Sequence, residues 1–291
     1  MSESQYCPVP DPTRHRMAVV GVGAIGSGVA QCFAAVGYDV VQLTRDGADR
    51  MGAVLQRQVA RGTMTPDQAD ELMERMSSCT IDEVPEVELV VEAVSEDFET
   101  KVAVLQSVAS RVSEQTVLAS STSTIPISSL AESLPVPSRV VGMHFMTPVP
   151  RMRLVEVIRG AQTSDEVVTR VEQWCREIDK VAAWVNDQPG FVASRLAQAV
   201  VHEAVHILSE GEASAEVIDI VATLGLNMPV GPLRLLDEVG VDVALRGLDS
   251  LYALLGHPRY DADPLLRELL EQGRLGRKSG RGIYQYAEVA R

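Results

Sequence analysis

The sequence predicts an α/β domain with a doubly wound, mostly parallel sheet, followed by an all-helical second domain. Three observations carry that expectation. A glycine-rich turn, GVGAIG at residues 21–26, sits between a short apolar run and a helix of small residues. Short apolar strands and helical stretches then alternate, as in a sheet whose strands are joined by crossover helices. After Asp187-Gln188-Pro189-Gly190 the strand-like runs give way to helical periodicity.

The elements follow in order. Met17–Val20 is an apolar run that reads as the first strand. SGVAQCFAAVG continues as a helix with Gly37 as its stop, and Asp39–Leu43 reads as a second strand. Together they make one βαβ unit. Residues 48–61 and 66–76 read as two helices, the second with Thr65 as cap and Pro66 in its first turn. Further strands are expected at 88–93, 116–119, 140–143 and 154–158, with a helix near 101–112. Helices are expected at 191–210, 215–224, 233–255 and 264–272. Residues 1–14 hold three prolines and no apolar period, so they read as a flexible tail. The first domain then spans 15–188 and the helical domain 189–291.

Composition narrows the function. Forty acidic residues against 26 basic ones argue against a nucleic-acid or anionic-membrane partner. Cys7, Cys32, Cys79 and Cys175 lie far apart, which gives neither CxxC nor a disulfide framework. A cytoplasmic protein is expected. No apolar run reaches the roughly 18 residues of a membrane-spanning helix.

Gly21, Gly23 and Gly26 form GxGxxG in the strand–turn–helix setting that a Rossmann-type dinucleotide site needs. Gly21 permits the tight turn, Gly23 the approach of a pyrophosphate, and Gly26 the packing of helix on sheet. The tip of the second strand reads cofactor type. An acidic residue there suits NAD(H), but this chain has Thr44 and Arg45. Thr44 brings no charge to repel a 2′-phosphate, and Arg45 can pair with one. NADP(H) is therefore favoured over NAD(H), with Asp46, one residue on, as the counter-argument.

Segments along nearly the whole chain resemble the L-3-hydroxyacyl-CoA dehydrogenases. In order they are GVGAIGSGVAQ, LVVEAVSEDFETK, ASSTST, HFMTPVPRMRLVEVI, DQPGFVASRL, GPLRLLDEVGVD and GRLGRKSGRGIYQY. The resemblance implies a nucleotide-binding domain followed by a helical domain that binds substrate and forms a homodimer. It implies a catalytic dyad of His144 and Glu156, with Ser123 bonding the substrate oxygen. Glu96 and Lys101 match positions on the nicotinamide and ribose side of the cofactor. A histidine titrates near working pH and can both take and give the proton that accompanies hydride transfer. A carboxylate behind it fixes the tautomer and stabilises the imidazolium.

Three asparagines of the family pattern are replaced. Ser121 stands in SNTS, Thr147 in HFxNP and Ser194 in NRL. Serine and threonine keep a hydroxyl but lose the amide's separate donor and acceptor. Ser121 is expected on the cofactor, Thr147 and Ser194 on the substrate. Arg50, Arg57, Arg61 and Arg75 in the helical pair at 48–76 read as candidates for a CoA phosphate or as a solvated face.

HEAVH at 202–206 matches the HExxH zinc pattern. The extended motif needs a glycine and a third histidine, and the chain has Ser209 and Glu212 at those places. Phe191, Val192, Leu196, Val200, Ile207 and Leu208 are expected to form the helix's apolar side, which puts both histidines in a polar stripe. No metal is expected. The leading function is a 3-hydroxyacyl-CoA dehydrogenase. The alternatives are a biosynthetic ketoreductase acting on a carrier-bound or polyketide-like ketone, and a non-catalytic dinucleotide-binding protein.

Overall fold

The computed structural model describes residues 15–286, so the tail expected over 1–14 lies outside the described residues. Contacts divide the chain into two units, one ending at Gln188 and one beginning at Pro189.

The first unit runs β1 (Arg16–Val20), α1 (Ala24–Ala35), β2 (Asp39–Leu43), α2 (Met51–Ala60), α3 (Pro66–Met73), β3 (Met76–Cys79), β4 (Leu89–Glu92), α4 (Phe98–Ala109) and β5 (Val117–Ser120). It continues through α5 (Ile127–Glu132), β6 (Val140–Phe145), β7 (Leu154–Arg159), α6 (Asp165–Glu177) and β8 (Val181–Asn186). All these strands form one sheet in the order β3-β2-β1-β4-β5-β6-β7-β8. The chain builds outward from β1 to β3, then returns to place β4 on β1's other side. The carboxyl ends of β1 and β4 thus border the crevice where doubly wound sheets bind ligands.

The central strands are apolar throughout because helices cover both faces of such a sheet. Leu89, Val90, Val91, Val117, Leu118 and Ala119 are all fully buried. Each Val or Leu so buried contributes roughly 1.5–3 kcal/mol, which makes the sheet centre a firm base for the loops at its carboxyl edge.

Several local expectations change. The helix expected over 66–76 stops at Met73, and Met76–Cys79 becomes an edge strand parallel to β2. Pairing with the open edge of β2 overrides local helix preference there. Its start is as expected: Thr65 and Gln68 form a reciprocal capping box. β7 runs antiparallel to β6, whereas the other paired strands run parallel. Residues 146–153 are too few for the crossover of a dozen or more residues that a parallel pair needs. α5, α6 and β8 had no counterpart in the sequence reading.

The second unit holds α7 (Ala193–Ser209), α8 (Ala215–Ile220), α9 (Pro232–Val239), α10 (Val241–Leu255) and α11 (Pro264–Glu271). A π-helical turn, Val221–Gly225, extends α8. The single helix expected over 233–255 is broken at Gly240, whose φ is +105°. A Cβ there would also meet Lys278 Nζ. Among the described residues no helix is long and apolar enough to cross a membrane.

The expected apolar side of α7 is a correction. Of the expected set, Phe191 is buried and Ile207 and Leu208 pack against the core, but Val192, Leu196 and Val200 are 49%, 62% and 41% exposed, and the helix buries Val201, His202, Ala204 and Val205. The buried face packs with Leu233, Leu236 and Leu245 in the core of this unit. His202 can enter that core because its Nε2 accepts the Asp263 backbone N–H at 3.0 Å.

Candidate active site

The glycine turn follows β1 directly. Gly21 has φ +101°, and a side chain there would strike the Ala93 carbonyl just past β4. A side chain at Gly26 would strike the Gly21 carbonyl. These two glycines are required by the protein's own packing. Gly23 differs: a Cβ added there meets nothing within 4 Å, so the space above it is open. Gly23 caps α1 without a side-chain hydrogen bond, and no acidic residue occupies the first turn. The first-turn N–H groups and the positive end of the helix are left for an anion. Ser121, just past β5, adds a buried hydroxyl with no hydrogen-bond partner among the described residues. This donor set fits a nicotinamide dinucleotide.

At the tip of β2, Thr44 is buried and donates to the Ala48 carbonyl at 3.3 Å. Arg45 is exposed and has no ion pair among the described residues. Asp46 is engaged elsewhere: both its oxygens accept from Arg50 at 2.8 Å, and the Ala48 N–H adds a third bond. The Arg50 guanidinium, helped by that N–H, brings the Asp46 carboxyl down to about 2. Arg50 is thereby spent, and Arg75 donates to the Gly37 carbonyl. Arg57 and Arg61 are exposed.

The antiparallel pairing of β6 with β7 places His144 directly opposite Glu156. Cross-strand neighbours project on the same face. His144 Nδ1 and Glu156 Oε2 lie 2.7 Å apart, with the residues only 7% and 2% exposed. A carboxylate at Nδ1 fixes the orientation of the ring and favours one tautomer.

Ser123 lies in the loop between β5 and α5. Its backbone N–H donates to Glu96 Oε1 at 2.8 Å. The same oxygen accepts from the Thr122 hydroxyl at 2.7 Å and from the Thr124 N–H and hydroxyl at 2.9 Å. Burial raises the Glu96 carboxyl, but Lys101 and these hydrogen bonds outweigh it and hold the group below the ordinary glutamate value. Lys101 is 1% exposed. Its ammonium sits 2.8 Å from Glu92 Oε1 and 3.4 Å from Glu96 Oε2. On the far side of the loop, Asp187 accepts the Ile127 and Ser128 N–H groups at 2.7 Å each, anchoring the start of α5.

The structure thus brings together His144 with Glu156, and Ser123 with Glu96 and Lys101. Thr147 is exposed in the turn after β6, and Ser194 lies in the first turn of α7 in the second unit. Glu92, Ser120, Thr122, Thr124 and Asp187 escaped the sequence reading. The signal for Glu92 was a carboxylate closing the apolar run LVVE. The HEAVH histidines have other work: His206 Nδ1 pairs with Asp263 at 2.7 Å, beside the His202–Asp263 bond.

Residues 16–188 match a family model described as 3-hydroxyacyl-CoA dehydrogenase, NAD binding domain. Residues 190–286 match one described as 3-hydroxyacyl-CoA dehydrogenase, C-terminal domain. A probable 3-hydroxybutyryl-CoA dehydrogenase of Bacillus subtilis is 40% identical over 280 residues, covering 94% of this chain and 98% of that one. A 3-hydroxybutyryl-CoA dehydrogenase of Clostridioides difficile is 38% identical, covering 93% and 99%. Among solved structures, an (S)-3-hydroxybutyryl-CoA dehydrogenase of Ralstonia eutropha superposes with a TM-score of 0.85 at 36% identity, covering 95% of this chain and 100% of that one.

Proposed function

Because the chain belongs to the 3-hydroxyacyl-CoA dehydrogenase family, we propose that it interconverts 3-hydroxyacyl-CoA and 3-oxoacyl-CoA with a nicotinamide dinucleotide. The observation that carries this reading is the buried His144–Glu156 pair on adjacent strands. A dinucleotide held at the glycine turn would supply or accept the hydride at substrate C3. In the reducing direction His144 Nε2 gives its proton to the C3 oxygen, and in the oxidising direction it takes that proton back. Glu156 holds the ring in place and stabilises the imidazolium. The Ser123 hydroxyl bonds the same substrate oxygen and favours the charge that develops there.

Gly21, Gly23, Gly26, Thr44, Ser121 and Glu96 line the cofactor side. Lys101 belongs to that side through Glu96, since its own ammonium is buried. NADP(H) is the favoured cofactor. Exposed Arg45 is available to a 2′-phosphate, while both Asp46 oxygens already accept from Arg50. The substrate is a short acyl chain on CoA, the class named for the relatives above, and Thr147 and Ser194 contact it. Replacement of the family's asparagines by Ser121, Thr147 and Ser194 supports a second reading, a ketoreductase acting on a carrier-bound 3-oxoacyl group. A cytoplasmic homodimer completes the proposal. Leu196, Val200, Ile220, Leu224 and Leu226 of the second unit are exposed and support it.

The test is steady-state reduction of acetoacetyl-CoA and of an acetoacetyl carrier protein, each with NADPH and NADH. Turnover of the CoA ester with a higher kcat/KM for NADPH is expected, and Arg45→Ala should cut that cofactor ratio by roughly 10-fold, the worth of one charge-assisted bond. Turnover of the carrier ester alone would favour the second reading. Tight dinucleotide binding without turnover of either ester would leave a binding protein.

A further inference from the structure

Glu92 and Lys101 form an ion pair that is out of contact with water, at 0% and 1% exposure. Such a pair is costly to desolvate and contributes little net stability by itself, so its bonds to surrounding groups show what it does. Glu92 has two arms, and both lead to the same turn. Its Oε1 accepts the Lys101 ammonium at 2.8 Å and the Val94 N–H at 2.7 Å. Lys101 in turn lies 3.4 Å from Glu96 Oε2, whose other oxygen gathers Thr122, Ser123 and Thr124. Glu92 Oε2 accepts the Ser120 hydroxyl at 2.6 Å, and Ser120 Oγ accepts the Thr122 N–H at 3.3 Å. β4 and β5 pair Glu92 directly with Ser120, so the second arm starts from fixed sheet register.

We infer that Glu92 is a positioning residue: through Lys101 on one arm and Ser120 on the other, it fixes the Thr122–Thr124 turn that presents Ser123. This rests on the proposed role of Ser123 at the substrate oxygen. It assigns Lys101 a task different from touching the cofactor. The ammonium bridges two carboxylates below the loop, and its removal should disturb the turn before it disturbs dinucleotide binding.

The experiment compares Glu92→Gln with wild type in two readouts. Hydrogen exchange of the 120–127 segment needs no turnover; exchange at the Ser123 and Thr124 amides should quicken while that of the β5 core stays unchanged. The second readout is a double-mutant cycle on kcat for acetoacetyl-CoA reduction, with dinucleotide Kd measured alongside. Ser123→Ala should cost roughly 10²-fold in wild type, the scale of one lost donor to a developing oxyanion. In the Glu92→Gln background it should cost less than about 10-fold, because the hydroxyl is already misplaced. Dinucleotide Kd, read alongside, separates a loss of binding from a loss of kcat. Ser120→Ala, a milder change that cuts only one arm, should show the same coupling and decides the matter if Glu92→Gln fails to fold. Independent, multiplicative effects, or unchanged exchange at Ser123, would overturn the inference alone. A Ser123→Ala variant with wild-type kcat would overturn the reading of Ser123 and the inference with it.

Discussion

His144 and Glu156 meet because β7 turns back on β6, which sets residues twelve apart in sequence face to face at 2.7 Å. Glu156→Gln keeps the shape of that contact and removes its charge. It should lower kcat by roughly 10²- to 10⁴-fold, the range a positioned acid–base group contributes, and leave dinucleotide affinity unchanged in a fluorescence titration. Glu96 makes a pH-dependent prediction. Its folded carboxyl titrates below the ordinary glutamate value. Its stabilising effect is therefore complete above the unfolded value, near 4.3, and is lost as pH falls through the lower, folded value. Melting curves of wild type and Glu96→Gln should differ at neutral pH and converge as pH falls well below the ordinary glutamate value. His144, Glu156, Ser123 and Glu96 were legible only through ordered resemblance, since a lone histidine before a strand reads more readily as structural. Lys101 was legible in the same way, but Glu92 and the pairing of the two were hidden for another reason. Their pairing depends on how the 93–97 loop folds back over β4, and no spacing rule encodes that.

At the scale of elements, the glycine turn separates two roles that the motif merges. Gly26 is closed in by the Gly21 carbonyl, whereas Gly23 faces open space. Gly26→Ala should destabilise the fold by about 1–3 kcal/mol through overpacking, as seen in denaturant melts. Gly23→Ala should melt like wild type and weaken dinucleotide binding, which calorimetric titration would detect. Equal melting losses in both variants would contradict this division. Helix α7 carries a pH signature of its own. Burial lowers the His202 pKa, and neighbouring His206 lowers it further, against smaller opposing effects from Arg259, Asp263 and Glu203. The unfolded chain then takes up a proton near pH 6.5 that the folded chain resists, so stability falls as pH drops below about 6.5. His202→Gln can still accept the Asp263 N–H and cannot titrate there; its melting temperature should vary less between pH 7 and pH 5.5. α7 was read as a helix from its period, but its buried side was assigned only in part: Ile207 and Leu208 pack on the core, whereas Leu196 and Val200 are exposed and His202 is buried. Periodicity locates a stripe; which stripe turns inward is decided by α9, α10 and α11, and by an Asp263 amide that makes a histidine acceptable in a core.

For the whole molecule, the order of strands and helices was largely readable because each crossover leaves its own apolar period in the sequence. The antiparallel β7, the edge strand β3 and the break at Gly240 were not, since each depends on connection length or long-range pairing. Apolar residues left on the surface of the second unit, Leu196 and Leu224 among them, predict self-association. Sedimentation should give twice the 31.5 kDa chain mass, and Leu196→Glu with Leu224→Glu should shift it toward the monomer. The central claim is that the buried dyad moves the proton that accompanies hydride transfer to a 3-oxoacyl group. Its most direct test is single-turnover reduction of acetoacetyl-CoA at saturating dinucleotide, wild type against His144→Ala. The variant's rate should be lower by roughly 10²- to 10⁴-fold with unchanged dinucleotide affinity; a His144→Ala enzyme that reduces the substrate at the wild-type rate would rule out that role for the dyad.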